Sequence, residues 1–210
     1  ATVYKDAEAY KMVLAKCYAG LSVSGQQGAA GMPDLSGIDE GFSQYIRQLW
    51  LAQELSTDEA VMNWNDGTVK TYHTQSWTPS GEFIAAMYNR IYYQISLCNE
   101  FIRESSDAKL EERGITGADK TTVQTYRNEA RFLRALSYFH AIDMYGNVPF
   151  VDENNVVGSF HPERILRADL FDYIESELLD LEDQMLDPKS EYGRADKAAV
   201  WMLLGRLYLN

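Results

Sequence analysis

Apolar side chains recur every three or four residues along several segments of the chain, and this spacing is typical of helices that bury one face. The first stripe predicts a helix that is capped by Thr2 and ends near Leu21. Its predicted core face consists of Ala7, Tyr10, Leu14, Cys17 and Leu21. Residues 42–55 predict a second helix, whose expected core contacts are Ile46, Leu49 and Trp50.

The second half of the chain carries longer stripes of the same kind. They predict helices at residues 82–104, 120–145, 167–186 and 195–210, the second of them capped by Asp119. The core stripe of the helix at 82–104 consists of Phe83, Met87, Ile91, Ile95, Cys98 and Ile102. The core stripe of the helix at 167–186 consists of Leu170, Ile174, Leu178, Leu181 and Met185. No segment shows the alternation of a convincing strand, so the sequence predicts an all-α fold.

The central segment, residues 127–151, combines a packed helix with a sharp stop. Apolar and small residues cover most of its circumference, while Arg127, Arg131 and Arg134 leave one polar stripe. Gly146 can adopt the positive φ that ends a helix, and Pro149 prevents the helix from resuming. We therefore expect this helix to be surrounded by neighbours.

Polar, glycine-rich intervals separate the helices and predict long irregular loops at residues 22–42, 57–80, 105–118 and 146–165. The interval 57–80 contains the turn signal Asn65-Asp66-Gly67 between two tryptophans. A long loop inside a compact domain is more often functional than accidental.

The composition narrows the possible partners. The 210 residues carry a formal net charge of -12, which argues against nucleic acid and anionic membrane surfaces. No apolar run is long enough to span a membrane. Cys17 and Cys98 both lie in apolar helical patterns, and we expect buried free thiols rather than a disulfide. No signal peptide or lipid-acceptor cysteine is recognisable at the start of the sequence.

The sequence offers no catalytic, cofactor or metal motif. It lacks a nucleophile elbow, a P-loop, a dinucleotide fingerprint and zinc spacing, so we expect neither an enzyme nor a cofactor. His140 and Asp143 are spaced to share a metal, but a packed histidine is the simpler interpretation. The acidic residues of 175–183 are interpreted as a solvated face rather than a catalytic pair.

Residues 129–149 also resemble a known family signature. Glu129-Ala130-Arg131-Phe132-Leu133-Arg134-Ala135, then Tyr138-Phe139, then Tyr145-Gly146-Asn147-Val148-Pro149 resembles the signature of the SusD/RagB family of Bacteroidetes surface lipoproteins. Ser56-Thr57-Asp58-Glu59 and the alanine-rich residues 198–209 resemble flanking family segments. Because family members are usually longer, the resemblance implies that residues 1–210 are a single N-terminal helical domain of a longer protein.

The resemblance implies a function as well. Such a protein would bind oligosaccharide at the cell surface without turning it over. It would deliver the sugar to a SusC-like, TonB-dependent outer-membrane transporter, and would itself be held to the outer membrane by a lipid anchor that is absent from this chain.

A helical repeat pattern agrees with this resemblance. Residues 201–208 fit W-x-x-L-G-x-x-Y, the first-helix pattern of a tetratricopeptide repeat. In that pattern Gly205 admits a close partner helix, and Trp201 and Tyr208 fill the space beside it. We therefore expect tetratricopeptide-like helix pairs with long irregular loops. The alternative function is an adaptor that binds a peptide in the concave groove of such repeats.

The interval 57–80 is the predicted binding segment. Sugars present flat C–H faces edged by hydroxyls, so their sites need aromatic platforms and fixed polar groups. Trp64 and Trp77 are the candidate platforms, and the candidate hydroxyl partners are Asn65, Asp66, His73 and Gln75. The structural alternative is that one or both tryptophans anchor the loop to the helices beneath it.

Overall fold

The computed structural model describes residues 3–25, 32–155, 158 and 160–210. The helices are α1 (Ala7–Ala19), α2 (Tyr45–Glu54), α3 (Gly67–His73), α4 (Glu82–Glu104), α5 (Asp107–Glu112), α6 (Gly117–Tyr145), α7 (Arg167–Glu182) and α8 (Lys197–Leu209). Two short strands, β1 (Val148–Pro149) and β2 (Arg164–Ile165), pair antiparallel. The all-α prediction is confirmed. No helix among the described residues has the length and apolar character needed to cross a membrane.

The contacts divide the chain into two compact units. The large unit comprises Ala1–Cys17 with Gln94–Asn210, and the small unit comprises Tyr18–Tyr93. In the large unit α6 packs against α7, and α7 packs against α8. The small unit has a core of Leu51, Leu55, Val69, Tyr72 and Phe83. The single-domain boundary 1–210 stays a prediction.

The long hydrophobic stripes are confirmed. Every residue predicted for the core faces of α4 and α7 is buried, as are Tyr10, Leu14 and Cys17 of α1. Cys17 and Cys98 are buried free thiols, as predicted. Gly146 ends α6 with a φ of 70°, which explains why glycine stands there.

The predicted helix starts and the α2 core were partly wrong. The α1 cap is Asp6, whose Oδ1 accepts a hydrogen bond from Ala9 N at 2.8 Å, whereas Thr2 lies outside the described residues. Helix α6 begins at Gly117, ahead of the predicted cap Asp119.

The buried face of α2 is formed by Tyr45, Gln48 and Leu51, while Ile46 and Trp50 are exposed and Leu49 is partly buried. Gln48 is only half satisfied in this position: its Nε2 donates to Phe42 O at 2.6 Å, while its Oε1 is buried without a hydrogen-bond partner among the described residues.

Two intervals that were expected to be irregular contain helices. Helix α3 lies within 57–80, and α5 lies within 105–118. Both are short, with seven and six residues, and bury one or two side chains each. Tertiary contacts, rather than helix propensity, stabilise helices of this length.

The polar residues of α6 and α7 form a packed network rather than a solvated face. Arg134 is almost fully buried and pairs with Glu153 and, at 3.1 Å, with Glu177 of α7. Arg131 pairs with Glu177 at 2.9 Å and with Asp180 at 2.7 Å. The interpretation of the acidic residues of α7 as a solvated face was therefore wrong for Glu177, which is largely buried, whereas Asp180 is exposed although it pairs with Arg131.

The packing predicted for α8 is not found within the described residues. Trp201 and Tyr208 are about half exposed, and a Cβ placed on Gly205 would meet no described atom within 4 Å. The indole of Trp201 donates to Glu182 Oε1 at 2.9 Å instead of filling space between helices.

Candidate functional site

The small unit carries the predicted binding segment on a short, well-capped helix. Asp66 caps α3, because its Oδ1 accepts from Thr68 N at 2.8 Å and from Val69 N at 3.4 Å. Val69 and Tyr72 bury the inner face of α3 in the core of the unit. The residues preceding the cap, Trp64 and Asn65, are thereby held at the surface.

Trp64 is the most accessible aromatic side chain of this segment. It is 56% exposed, so the alternative that it anchors the loop is not what the structure shows. The guanidinium of Arg47, on α2, lies over its ring at 5.8 Å from the centroid. Arg47 Nη1 also donates to Gly41 O at 2.7 Å, which fixes the guanidinium beside the ring. An exposed aromatic side chain with a fixed donor at its ring offers the two kinds of contact that a flat, hydroxylated ligand uses.

Trp77 has a mixed environment. It is 46% exposed, and its ring lies 6.3 Å from that of Tyr72. Burial raises the pKa of Tyr72 to about 12, and its hydroxyl has no hydrogen-bond partner among the described residues. Trp77 therefore both covers the core and presents a partial face to solvent.

The four predicted hydroxyl partners already have internal contacts. Asn65 Oδ1 accepts from Lys70 Nζ, and the Oδ1 of Asp66 caps α3. His73 Nε2 accepts from Met62 N at 3.2 Å, and Gln75 Nε2 donates to Ser56 O at 3.0 Å. These bonds shape the segment around Trp64. Their part in ligand binding stays a prediction.

Arg47 was missed by sequence reasoning. It lies on a helix whose outer face also carries Ile46 and Trp50, and no local pattern marks it as part of a site. Its role becomes visible only when α2 and the segment before α3 are placed side by side. The sequence offered one signal only, a basic residue on α2, the helix that directly precedes the tryptophan-rich interval.

The large unit has clefts of a different character. One of about 480 Å³ lies between α7 and the β1–β2 loop, and its lining includes Phe160, His161 and Asp169. Among the described residues, no group of three His, Cys, Asp or Glu side chains is placed to hold a metal ion. His140 is buried, as predicted for a packed histidine.

Comparison with known proteins defines the class of this molecule. A SusD-like family model, described as "Starch-binding associating with outer membrane", matches residues 38–209. The chain therefore belongs to the SusD-like family, which confirms the resemblance of the central signature.

Individual relatives are similar over most of this chain. It is 37% identical over 200 residues to the starch-binding protein SusD of Bacteroides thetaiotaomicron, covering 94% of this chain and 34% of SusD. The chain thus spans about a third of the length of that relative.

Solved structures have the same fold. A SusD superfamily protein of Bacteroides vulgatus has a TM-score of 0.74 at 18% identity, covering 99% of this chain and 40% of the other. Surface glycan-binding protein A of Bacteroides fluxus has a TM-score of 0.71 at 17% identity, covering 96% of this chain and 39% of the other. At these identities the two likenesses show the fold alone.

Proposed function

We propose that this chain is the N-terminal helical part of a surface glycan-binding protein that holds oligosaccharide without catalysis. The observation that carries the proposal is the exposed side chain of Trp64 with the guanidinium of Arg47 over its ring. The similarity to a starch-binding protein supports a carbohydrate as the ligand. The net charge of -12 is compatible with a neutral sugar and unfavourable for an anionic polymer.

Two kinds of contact would hold the sugar: stacking on the Trp64 ring and hydrogen bonds from the polar groups around it. The C–H face of a sugar would stack on Trp64, with Trp77 as a second platform, because removing apolar surface from water favours the contact. The guanidinium of Arg47 carries several N–H donors, of which one is committed to Gly41 O. Asn65, Asp66, His73 and Gln75 would contribute their remaining polar atoms to the hydroxyls.

We place the protein at the outer membrane, held by a lipid anchor outside this chain and working with a SusC-like, TonB-dependent transporter. The family description, which names association with the outer membrane, supports this location. Co-purification of the full-length protein from solubilised outer membranes tests it. Recovery of a TonB-dependent transporter in stoichiometric amount is expected, and its absence under mild detergent would contradict the partnership.

The experiment that tests the glycan proposal compares two tryptophans that are each about half exposed. Trp64→Ala in the full-length protein should weaken binding to the preferred polysaccharide about tenfold, equal to about 1.4 kcal/mol. Trp201→Ala is the matched control, because Trp201 is 48% exposed but lies in the large unit. Affinity electrophoresis over a polysaccharide panel identifies the ligand, and isothermal titration calorimetry measures the affinity.

The outcomes separate the possibilities. Equal affinity in the Trp64 variant and the wild type would remove Trp64 from the site. Absence of binding to every polysaccharide by the wild type would contradict the glycan proposal. Trp77→Ala should produce a smaller loss than Trp64→Ala, because the ring of Trp77 also packs against Tyr72 of the core.

A further inference from the structure

Arg90, on α4, is the one charged residue of the small unit that is buried among the described residues, with 0% of its surface exposed. All three nitrogens of its guanidinium make hydrogen bonds. Nε donates to Ser43 O, Nη1 pairs with Asp34 Oδ1 at 2.7 Å, and Nη2 donates to Ser24 O at 3.2 Å and to Ser43 Oγ at 3.1 Å. The Arg90 side chain thus connects Ser24, Asp34 and Ser43, three residues that precede α2.

The segment it holds has an unusual hydrogen-bond pattern. Four consecutive backbone carbonyls, those of residues 40–43, each accept a hydrogen bond from a side chain. The donors are, in order, Ser24, Arg47, Gln48 and Arg90, and Gln44 also donates to the carbonyl of Glu40. Because side chains replace the usual backbone ladder, the position of this turn depends on those few donors.

The turn is connected to the candidate platform through one residue. Gly41 O accepts from Arg47 Nη1 at 2.7 Å, and the guanidinium of Arg47 lies over Trp64. A displacement of the turn therefore moves the anchor of Arg47, and with it the donor beside the ring. Arg90 itself is buried and cannot contact a ligand.

We infer that Arg90 is a positioning residue for the Trp64 site, acting through the turn 40–43 and Arg47. This inference rests on the proposed function, since it explains how that site is preorganised. A binding site gains affinity when its donors are already held in the bound geometry. Lysine cannot substitute, because its single ammonium cannot reproduce the fork of a guanidinium that contacts several acceptors at once.

Arg134 provides a matched control for the ordinary cost of losing a buried arginine. It is similarly buried, but it lies in the large unit and contacts Asn99, Glu153 and Glu177. Arg90→Lys and Arg134→Lys should both lower the free energy of unfolding. Only Arg90→Lys should affect the site.

Two readouts test the inference in the full-length protein, at a temperature where circular dichroism shows every variant to be folded. The first is affinity for the polysaccharide selected by the wild type, which Arg90→Lys should weaken about three- to tenfold and Arg134→Lys should leave unchanged. The second is the indole N–H resonance of Trp64, assigned with Trp64→Phe. It should shift in Arg90→Lys and stay in place in Arg134→Lys.

The second readout needs no ligand, so the inference and the proposed function can fail separately. A wild type that binds no glycan contradicts the function, while the Trp64 resonance still tests Arg90. Wild-type affinity and an unmoved resonance in Arg90→Lys would overturn the inference and leave the function standing. If Arg90→Lys does not fold, Ser24→Ala takes its place, because it removes only the hydroxyl that donates to Glu40 O. A smaller shift in the same direction is then expected, and an unmoved resonance would again overturn the inference.

Discussion

The two units bury their charged groups in different ways. In the small unit Arg90 is surrounded mostly by neutral acceptors, namely two carbonyls and a hydroxyl, with Asp34 as its one anionic partner. In the large unit Arg134 faces two glutamates, and nearby Glu129 is fully buried against Arg194. His140 is buried there as well.

The comparison shows that a buried arginine has a different role in each unit. Arg90 replaces a missing backbone ladder and sets the position of a turn. Arg134 neutralises carboxylates and joins α4, α6 and α7 to the chain after β1, through Asn99, Glu177 and Glu153. Carboxylates and histidine titrate in acid, whereas backbone carbonyls do not. We therefore expect acid sensitivity to reside mainly in the large unit.

The largest effect is expected from Arg134→Met, which leaves the partly buried Glu153 without its cation, while Glu177 keeps Arg131. Breaking a buried pair from one side costs about 3–5 kcal/mol, and denaturant unfolding at pH 7 should show a loss of that size. Lys109→Met is the control, because Lys109 pairs with Glu112 on the surface and its loss should cause no measurable change.

The same variant has a predictable response to pH. Burial raises the pKa of Glu153, but Arg134 acts against it and the net pKa is lowered. A lowered pKa stabilises the fold above the unfolded value near 4.5, and this stabilisation is lost as the pH falls through the folded value. Without Arg134 that contribution is absent, so the deficit of the variant should shrink below about pH 4.5, as the pH falls through the folded value. A deficit of equal size on both sides of pH 4.5 would contradict the assigned role.

An intermediate effect is expected from His140. Burial lowers its pKa to about 4, Arg206 acts in the same direction, and Asp143 opposes both. Because the unfolded histidine has a pKa near 6.5, its contribution is complete above that value and is lost as the pH falls towards 4. The loss amounts to about 3 kcal/mol.

His140→Gln should flatten this part of the stability profile, measured by denaturant unfolding at half-unit pH steps. Hydrogen exchange near pH 5 should locate the early opening in the large unit. An unchanged slope between pH 6.5 and 4 in the variant would contradict the assignment to His140.

The long helices were predictable because their stripes are local. The stripe from Phe83 to Ile102 needs only the sequence spacing to be recognised, and all of its members are buried. Helix α2 was harder, since its apolar Ile46 and Trp50 lie on the outer face while Gln48 is buried. Helix α3 was not predicted because a segment of seven residues is too short to show a helical period.

The candidate site was predictable only in part. Trp64 stood out because it is an aromatic residue in a polar interval next to a turn signal. Arg47 and Arg90 could not be found in the same way, because their roles depend on tertiary contacts. Arg90 and Ser24, for instance, are 66 positions apart in sequence. In a helical pattern a buried arginine is indistinguishable from a surface one until its acceptors are known.

The smallest effects are expected from the loss of a helix cap, and each unit offers one cap for comparison. Asp66 caps α3 and Asp196 caps α8 through the same pair of hydrogen bonds to N2 and N3 of the helix. Asp66→Ala should cost about 1 kcal/mol, the usual value for a lost cap, and Asp66→Asn should retain most of it. Asp196→Ala should cost more, because Asp196 Oδ2 also accepts from Lys189 N at 2.9 Å. That bond, the largest of the contributions that lower the pKa of Asp196, makes its cap sensitive to acid. Chemical denaturation of both alanine variants measures the difference, and an equal or larger loss at Asp66 would show that α3 depends on its cap more than the contacts indicate.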